Sequence, residues 1–208
     1  MATSRTAQKH RSILDAAIDA FTSRGFDGTS MDDLARAAAV SKPTIYKHFG
    51  DKEGVFRAAI LATIEDTAAQ TQAQLAALAA TNDLARDLRA FARQHLADLM
   101  SPTLVRLRRR IIAEAERFPD LASAWYASGP AAGVATLASV FAVLVERGLL
   151  HVDDTVVAAE QFNWLVLIPL NRAMFLADEP RDPVGLDRAA DGAVAAFLAA
   201  YAPSRKAR

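Results

Sequence analysis

The sequence contains no cysteine, which excludes a whole group of sites. Disulfide bridges, thiolate metal sites and cysteine nucleophiles all need a thiol. The absence is compatible with the reducing cytoplasm, where we expect the protein to work. A charge imbalance is also missing, because 24 lysines and arginines match 24 aspartates and glutamates. Bulk charge therefore gives no sign of a nucleic-acid partner, which must be inferred from local clustering.

Membrane segments and common catalytic motifs are missing as well. The N-terminus is polar, and the most apolar segment, WLVLIPL at 164–170, is far shorter than the roughly 20 residues of a membrane helix. The histidines are widely spaced, and no HExxH, di-iron ExxH, GxGxxG or GxxxxGK[ST] pattern occurs. We expect no membrane association, no metal, no cofactor and no enzymatic activity. A catalytic group assembled from distant positions stays open, although no pattern indicates one.

The composition and the spacing of apolar residues predict helices along nearly the whole sequence. Alanine, the best helix former, is abundant, and nearly every segment repeats its apolar residues at helical spacing. Caps, glycines and prolines mark the ends of the segments. The sequence predicts an all-α fold of about nine to ten helices, over residues 5–24, 30–39, 41–49, 51–80, 83–100, 102–117, 119–128, 131–148, 155–177 and 183–202.

Residues 29–52 carry a helix-turn-helix pattern, in which two short helices are joined by the tight turn AAVS. When Ile45 points inward on the second short helix, the rotation of about 100° per residue directs a row of polar groups outward. The outward and flanking positions are Lys42, Pro43, Thr44, Tyr46, Lys47 and His48. Such cations and hydroxyls contact phosphates and base edges in a major groove. Lys52, in the first turn of the next helix, adds a phosphate-binding cation.

The stretch GFDGTSMDDLARAAAVSKPTIYKHFGDKEGVF, residues 25–56, resembles the N-terminal domain of the TetR (tetracycline repressor) family of bacterial transcription regulators. The resemblance covers about residues 8–57. It implies a homodimer that binds a palindromic operator in double-stranded DNA and is released by a small ligand. It places Lys42, Pro43, Thr44, Tyr46, Lys47, His48 and Lys52 at DNA-facing positions, and Ser30 at a phosphate-contacting one. Asp32 departs from relatives that carry a basic residue at this position. Whether that helix contacts a nucleobase therefore stays open.

We therefore predict a ligand-responsive repressor with a DNA-binding domain over residues 1–52 and an effector-binding and dimerisation domain over residues 53–208. An activator and a helical adaptor that binds protein are the alternatives. Other interpretations of single residues also stay open: Tyr46 as core, His48 as a solvated helix-end cation, and Ser30 as a cap alone.

The second predicted domain resembles the family only in architecture, so its sites are predicted from patterning. Aromatic and methionine residues with isolated amides are typical of a ligand cavity. The effector-binding candidates are Phe91, His95, Phe118, Trp125, Tyr126, Trp164, Leu167, Asn171, Met174 and Phe175. Plain core or a subunit interface is the alternative for the helix 155–177, which Pro169 should kink. A core histidine is the alternative for His95.

The last helix carries an apolar face with small residues that allow close backbone approach. We predict a dimer interface at Leu186, Ala190, Ala193, Val194, Phe197 and Tyr201, unless the subunit covers this face with its own helices. The run RLRRRIIAEAERF at 106–118 predicts a solvated helix face with ion pairs such as Arg110–Glu114. Anion binding by Arg106 or Arg110 is the alternative.

Overall fold

The computed structural model describes residues 2–176 and 182–203, and this part of the chain is helical without a strand. The prediction of an all-α fold is confirmed. The predicted helix end at residue 177 lies outside the described residues. The α-helices are α1 Ala2–Arg24, α2 Met31–Ala37, α3 Lys42–Phe49, α4 Lys52–Ala79, α5 Leu84–Leu99, α6 Pro102–Ala113, α7 Pro119–Tyr126, α8 Ala132–Glu146, α9 Thr155–Val166, α10 Ile168–Phe175 and α11 Pro183–Tyr201.

Two prolines shape the helices in different ways. Pro169 lies in the first turn of α10, directly after the break at Leu167, so the predicted kink is a full interruption. A proline is tolerated in a first turn because the N–H that it lacks has no helical partner there. Pro130, in contrast, lies inside a π-helical segment, Ala127–Ala131, that joins α7 to α8. The predicted helix break at Gly129-Pro130 is therefore wrong, because the wider π turn carries the helix past the proline.

The continuous run from α7 to α8 has a property that the sequence analysis missed. Pro119–Glu146 is long and apolar enough to cross a membrane by length and composition. The core helix of a soluble protein passes the same test, so the run by itself assigns no membrane.

The chain forms two compact units, residues 1–66 with 102–126 and residues 67–101 with 127–208. The first unit is built on one apolar core beneath α1 to α4, α6 and α7. Its least exposed members include Ile13, Ala17, Phe21, Leu34, Ile45, Val55, Phe56 and Ile60. Burying a valine, leucine, isoleucine or phenylalanine side chain stabilises a fold by about 1.5–3 kcal/mol, so this core fixes α3 on its scaffold.

The second unit packs α11 against α5 and α9, with α8 on α9. Phe141, Phe162 and Phe197 meet at its centre with ring centroids 5.0–5.8 Å apart. Ala190, Ala193, Val194 and Phe197 are at most 5% exposed within the single subunit. The subunit's own helices therefore cover these four residues of the predicted dimer interface, which was the alternative stated above. Leu186 and Tyr201 keep partial exposure.

Candidate nucleic-acid interface

The start of α2 is fixed by a capping box around Ser30. Its hydroxyl accepts a hydrogen bond from the Asp33 backbone N–H at 3.1 Å, and the Asp33 carboxylate accepts one from the Ser30 N–H at 3.2 Å. The Ser30 hydroxyl also donates to this carboxylate, and these hydrogen bonds lower the pKa of Asp33. Ser30 is exposed, so its capping role leaves the hydroxyl open to water and to a phosphate.

A tight turn connects α2 to α3 and sets their angle. The Val40 N–H donates to the Ala35 carbonyl at 3.0 Å, and Ala39 adopts a left-handed conformation with φ 52°. Beneath the turn, Met31, Leu34 and Ile45 are buried. These buried side chains therefore hold α3 by one side and leave its other side to solvent.

The outward side of α3 carries the groups that the sequence predicts there. Pro43 and Lys47 are exposed, and the Tyr46 ring is 46% exposed, which excludes the core interpretation of Tyr46. Thr44 is half-buried and shares a 2.7 Å hydrogen bond with the Ser41 hydroxyl. No carboxylate lies on α3, and no described residue forms an ion pair with Lys47.

Lys42 is already engaged within the chain. Its ammonium lies 3.0 Å from the carboxylate of Asp32 at the start of α2, and this hydrogen-bonded pair raises the pKa of Lys42. The pair joins residues ten positions apart, and only the turn brings them together, so helical spacing could not have revealed it. A phosphate that approaches Lys42 must share it with Asp32.

Lys52 ties the start of α4 to the loop after α1. Its ammonium donates to the Phe26 carbonyl at 3.0 Å and lies 4.3 Å from the centroid of the Phe26 ring. An ammonium has three protons, so this anchoring leaves further donors. Beside it, the Asp51 carboxylate caps α4 by accepting a hydrogen bond from the Gly54 N–H at 2.7 Å. The contacts with Phe26 thus fix the position of the Lys52 ammonium.

His48 lies against α1 rather than free in solvent. Its ring centroid is 6.0 Å from that of His10, and the His10 ring is 4.8 Å from that of Phe49. Residue spacing does not predict the contact of His10 with α3, because the two are far apart in the chain. The arrangement brings α1 beside the last turn of α3 and adds an imidazole to that edge of the predicted DNA-binding surface.

The effector candidates fall in both compact units. In the first unit, Phe118 is buried against Phe26 and Phe56, Trp125 is half-buried, and Tyr126 is 61% exposed. In the second unit, the rings of Phe91 and His95 stack with centroids 5.2 Å apart.

The remaining candidates of the second unit differ widely in burial. Leu167 is buried and Met174 is half-buried, whereas Asn171 is exposed, Trp164 is 66% exposed and Phe175 is 78% exposed. The effector-binding roles of these candidates stay predictions.

The arginines of α6 are not ion-paired as predicted. Within the described part of the chain, no carboxylate forms an ion pair with Arg106, Arg108, Arg109 or Arg110. The predicted Arg110–Glu114 pair is therefore wrong, and Arg110 packs beside Gly25 instead. Arg108 is not among the predicted site residues, although its position on one helical stripe with Leu104, Leu107 and Ile111 could have indicated it.

An exposed cationic helix without acids, held by a capped partner helix across a tight turn, can dock in a major groove. The fold and this surface define a helix-turn-helix protein.

Comparisons with known proteins agree with that class. The family described as "Bacterial regulatory proteins, tetR family" matches residues 13–59, and "AefR-like transcriptional repressor, C-terminal domain" matches residues 86–203. A solved structure from Mesorhizobium loti, described as a TetR-family transcriptional regulator, is 41% identical, with a TM-score of 0.92 and coverage of 96% of this chain and 99% of that one. The flavonoid-responsive regulator FrrA is 33% identical, with a TM-score of 0.71 and coverage of 95% and 99%.

The similarity to two curated relatives extends over 62 and 48 residues, which is less than a third of the chain in each case. The HTH-type transcriptional repressor ComR of Escherichia coli is 42% identical over 62 residues, which is 30% of each chain. The chain thus spans less than a third of the length of this relative. Taken together, the matches over the whole chain show that it belongs to the TetR family of bacterial transcriptional regulators. It is a DNA-binding regulator of a class that is not enzymatic.

Proposed function

We propose that the protein is a cytoplasmic repressor that binds a palindromic operator as a homodimer and is released by a small-molecule effector. The observation that carries the proposal is the outward side of α3, where Lys47 and Tyr46 are exposed and no acid is present. The names of two relatives support the finer points: ComR is called a repressor, and FrrA is called flavonoid-responsive.

The DNA contacts in this proposal divide into two kinds. Pro43, Thr44 and Tyr46 face the base edges, and Lys47 faces the phosphates of the groove wall, because all four lie on the outward side of α3. Ser30, Lys42, His48 and Lys52 lie around that helix, where they contact phosphates and fix its register.

The homodimer uses an exposed apolar stripe of the second unit. Val157, Trp164, Ile168 and Phe175 recur at helical spacing along α9 and α10, and each is at least 43% exposed. On the neighbouring α11, small residues are exposed opposite its buried side: Gly192, Ala195, Ala196 and Ala199. We call these eight residues the dimer face. An apolar patch of this kind marks a protein interface, so Trp164 and Phe175 serve the dimer rather than the effector.

A twofold dimer presents two α3 helices to two half-sites about 34–36 Å apart. An effector releases the operator when it binds more tightly to the conformation that is incompatible with this spacing. We propose that α4 transmits the change, because this one helix continues from the first unit into the second.

Fluorescence anisotropy with DNA from upstream of the protein's own gene tests the proposal. Binding should weaken steeply with salt, and Lys47→Ala should lower the magnitude of the salt slope by about 1, because one phosphate contact is lost. Arg89→Ala, which removes an exposed cation from α5, is the matched control and should leave the slope unchanged. An unchanged slope for Lys47→Ala excludes its phosphate contact, and no affinity for any duplex at low salt excludes the repressor.

A further inference from the structure

Arg108 occupies a position that an apolar residue would be expected to fill. It lies on α6 in the stripe formed with Leu104, Leu107 and Ile111, and Leu107 and Ile111 are only 2% and 4% exposed. The Arg108 side chain is accordingly half-buried, and this burial lowers its pKa. A cation in such a stripe needs a partner that compensates for its lost hydration.

The partner present within the chain is an aromatic ring. The guanidinium carbon of Arg108 lies 5.0 Å from the centroid of the Trp125 ring, which is within the range of a cation–π contact. This contact orients the planar guanidinium, and no described residue accepts a hydrogen bond from the N–H donors along the edge of the plane, which stay open to water or to a ligand. No described carboxylate forms an ion pair with these donors.

Two other arginines of the same unit have both a carboxylate and an aromatic ring as partners of the guanidinium. Arg57 binds the carboxylates of Asp120 and Glu53, and it also lies over the Phe118 ring. Arg117 binds Asp27 at 2.9 Å and lies over the Phe26 and Phe118 rings. Half-buried Arg57 and exposed Arg117 each combine a ring with a carboxylate, whereas half-buried Arg108 has the ring alone among the described residues.

We propose that Arg108 is the anion-recognising residue of the effector site and that the effector is a small aromatic acid whose carboxylate pairs with its guanidinium. This inference rests on the proposed function, because it assigns a chemical class to the effector. A guanidinium edge binds a carboxylate through two parallel hydrogen bonds, and partial burial strengthens that pairing. Trp125 holds the guanidinium plane and offers apolar surface for the ring of the acid.

Thermal shift and calorimetric titration with paired probes test the assignment. The probes are benzoate, salicylate, cinnamate and 1-naphthoate, each beside its neutral amide. At least one acid should raise the melting temperature of the wild-type protein more than its amide does, because a ligand that binds the native state stabilises it. The best acid should bind Arg108→Gln at least about tenfold more weakly, and Arg108→Lys should recover part of that loss. Arg109→Gln, which removes a neighbouring unpaired arginine, should bind the acid like the wild type.

The unliganded protein gives a second readout. Arg108→Gln should melt at the wild-type temperature or higher, because it removes a charge that lacks a counter-ion. A purely structural cation–π contact predicts a lower melting temperature for Arg108→Gln than for Arg109→Gln. That result would overturn the assignment, as would equal stabilisation by every acid and its amide, or undiminished binding of the acid by Arg108→Gln.

Operator binding separates this inference from the proposed function. Both Arg108 variants should bind operator DNA like the wild type when no acid is present. The best acid should release DNA from the wild type, and its release of DNA from Arg108→Gln should need at least about tenfold more acid. A wild-type protein without DNA affinity defeats the repressor proposal, whereas a DNA-binding protein whose acid response is undiminished in Arg108→Gln defeats only the assignment of Arg108.

Discussion

At the scale of single residues, the DNA-binding surface around α3 depends on which of its lysines already have partners within the chain. Lys47 is exposed and unpaired among the described residues, whereas Lys42 shares its charge with Asp32 and Lys52 donates to the Phe26 carbonyl. Equal formal charges are therefore unequally available to a phosphate. We expect Lys47 to contribute most to the salt dependence and Lys42 to contribute less.

The Asp32 carboxylate should weaken DNA binding, since it neutralises Lys42 and repels phosphate. We predict that Asp32→Asn tightens operator binding by about two- to fivefold at low salt, with a gain that shrinks as salt screens the charges. Anisotropy titrations at several salt concentrations measure the change. Asp153→Asn removes an exposed carboxylate from the second unit and should have no effect. Weaker binding by Asp32→Asn would mean that the Asp32–Lys42 pair orients α3, and that role would contradict our prediction.

At the scale of elements, the junction of α3 and α4 depends on a close backbone approach. A Cβ atom added to Gly54 would lie 2.0 Å from the Phe49 carbonyl oxygen, a distance that real Cβ atoms do not reach. Since the obstructing atom belongs to the backbone, α3 or α4 would have to move. The approach holds Lys52 beside the last turn of α3, so stability and DNA binding share this junction.

We predict opposite signs for two glycine-to-alanine substitutions in helices. Gly54→Ala should lower the free energy of unfolding by about 1–3 kcal/mol, because the added methyl group displaces the backbone. Gly133→Ala meets no atom within 4 Å and should raise it by up to about 1 kcal/mol, because alanine is the better helix former. Urea denaturation followed by circular dichroism measures both. If Gly54→Ala were as stable as the wild type, the close approach would not constrain the junction.

At the scale of the whole molecule, the exposed apolar stripe on α9 and α10 is the feature that a monomer does not explain. Ile168 is 65% exposed and Trp164 is 66% exposed, although both lie in well-formed helices. Substitutions there should leave the subunit folded, because the side chains contribute little to its core. The stripe is therefore open to a direct test of assembly.

We predict that Ile168→Glu weakens dimerisation by about 2 kcal/mol or more, since a charge would be buried at the centre of the dimer face. Analytical ultracentrifugation should show monomers at concentrations where the wild type is dimeric, with an unchanged helical spectrum. Val143→Glu changes an exposed apolar residue of α8 outside the dimer face and serves as the control. A dimeric Ile168→Glu protein would place the interface elsewhere.

The sequence by itself determined the elements and the outward side of α3. Helical period and caps are local properties, so Ser30, Asp51 and Gly25 mark helix ends in the chain as they do in the structure. The inward position of Ile45 was enough to predict that Lys47 points toward solvent, because a helix rotates by a fixed angle per residue. Recognition of the family rested on this same local pattern.

Only the tertiary structure decided what covers each apolar face and which charges meet. Period shows that a helix has an apolar side, but it does not distinguish a subunit's own core from a partner, so Ala190, Val194 and Phe197 were open to both interpretations. Partners far apart in sequence, such as Arg93 with Asp191 and Arg57 with Asp120, are brought together by packing. The same packing leaves Arg108 with a ring and no carboxylate, because long-range contacts have no periodic signature in the chain.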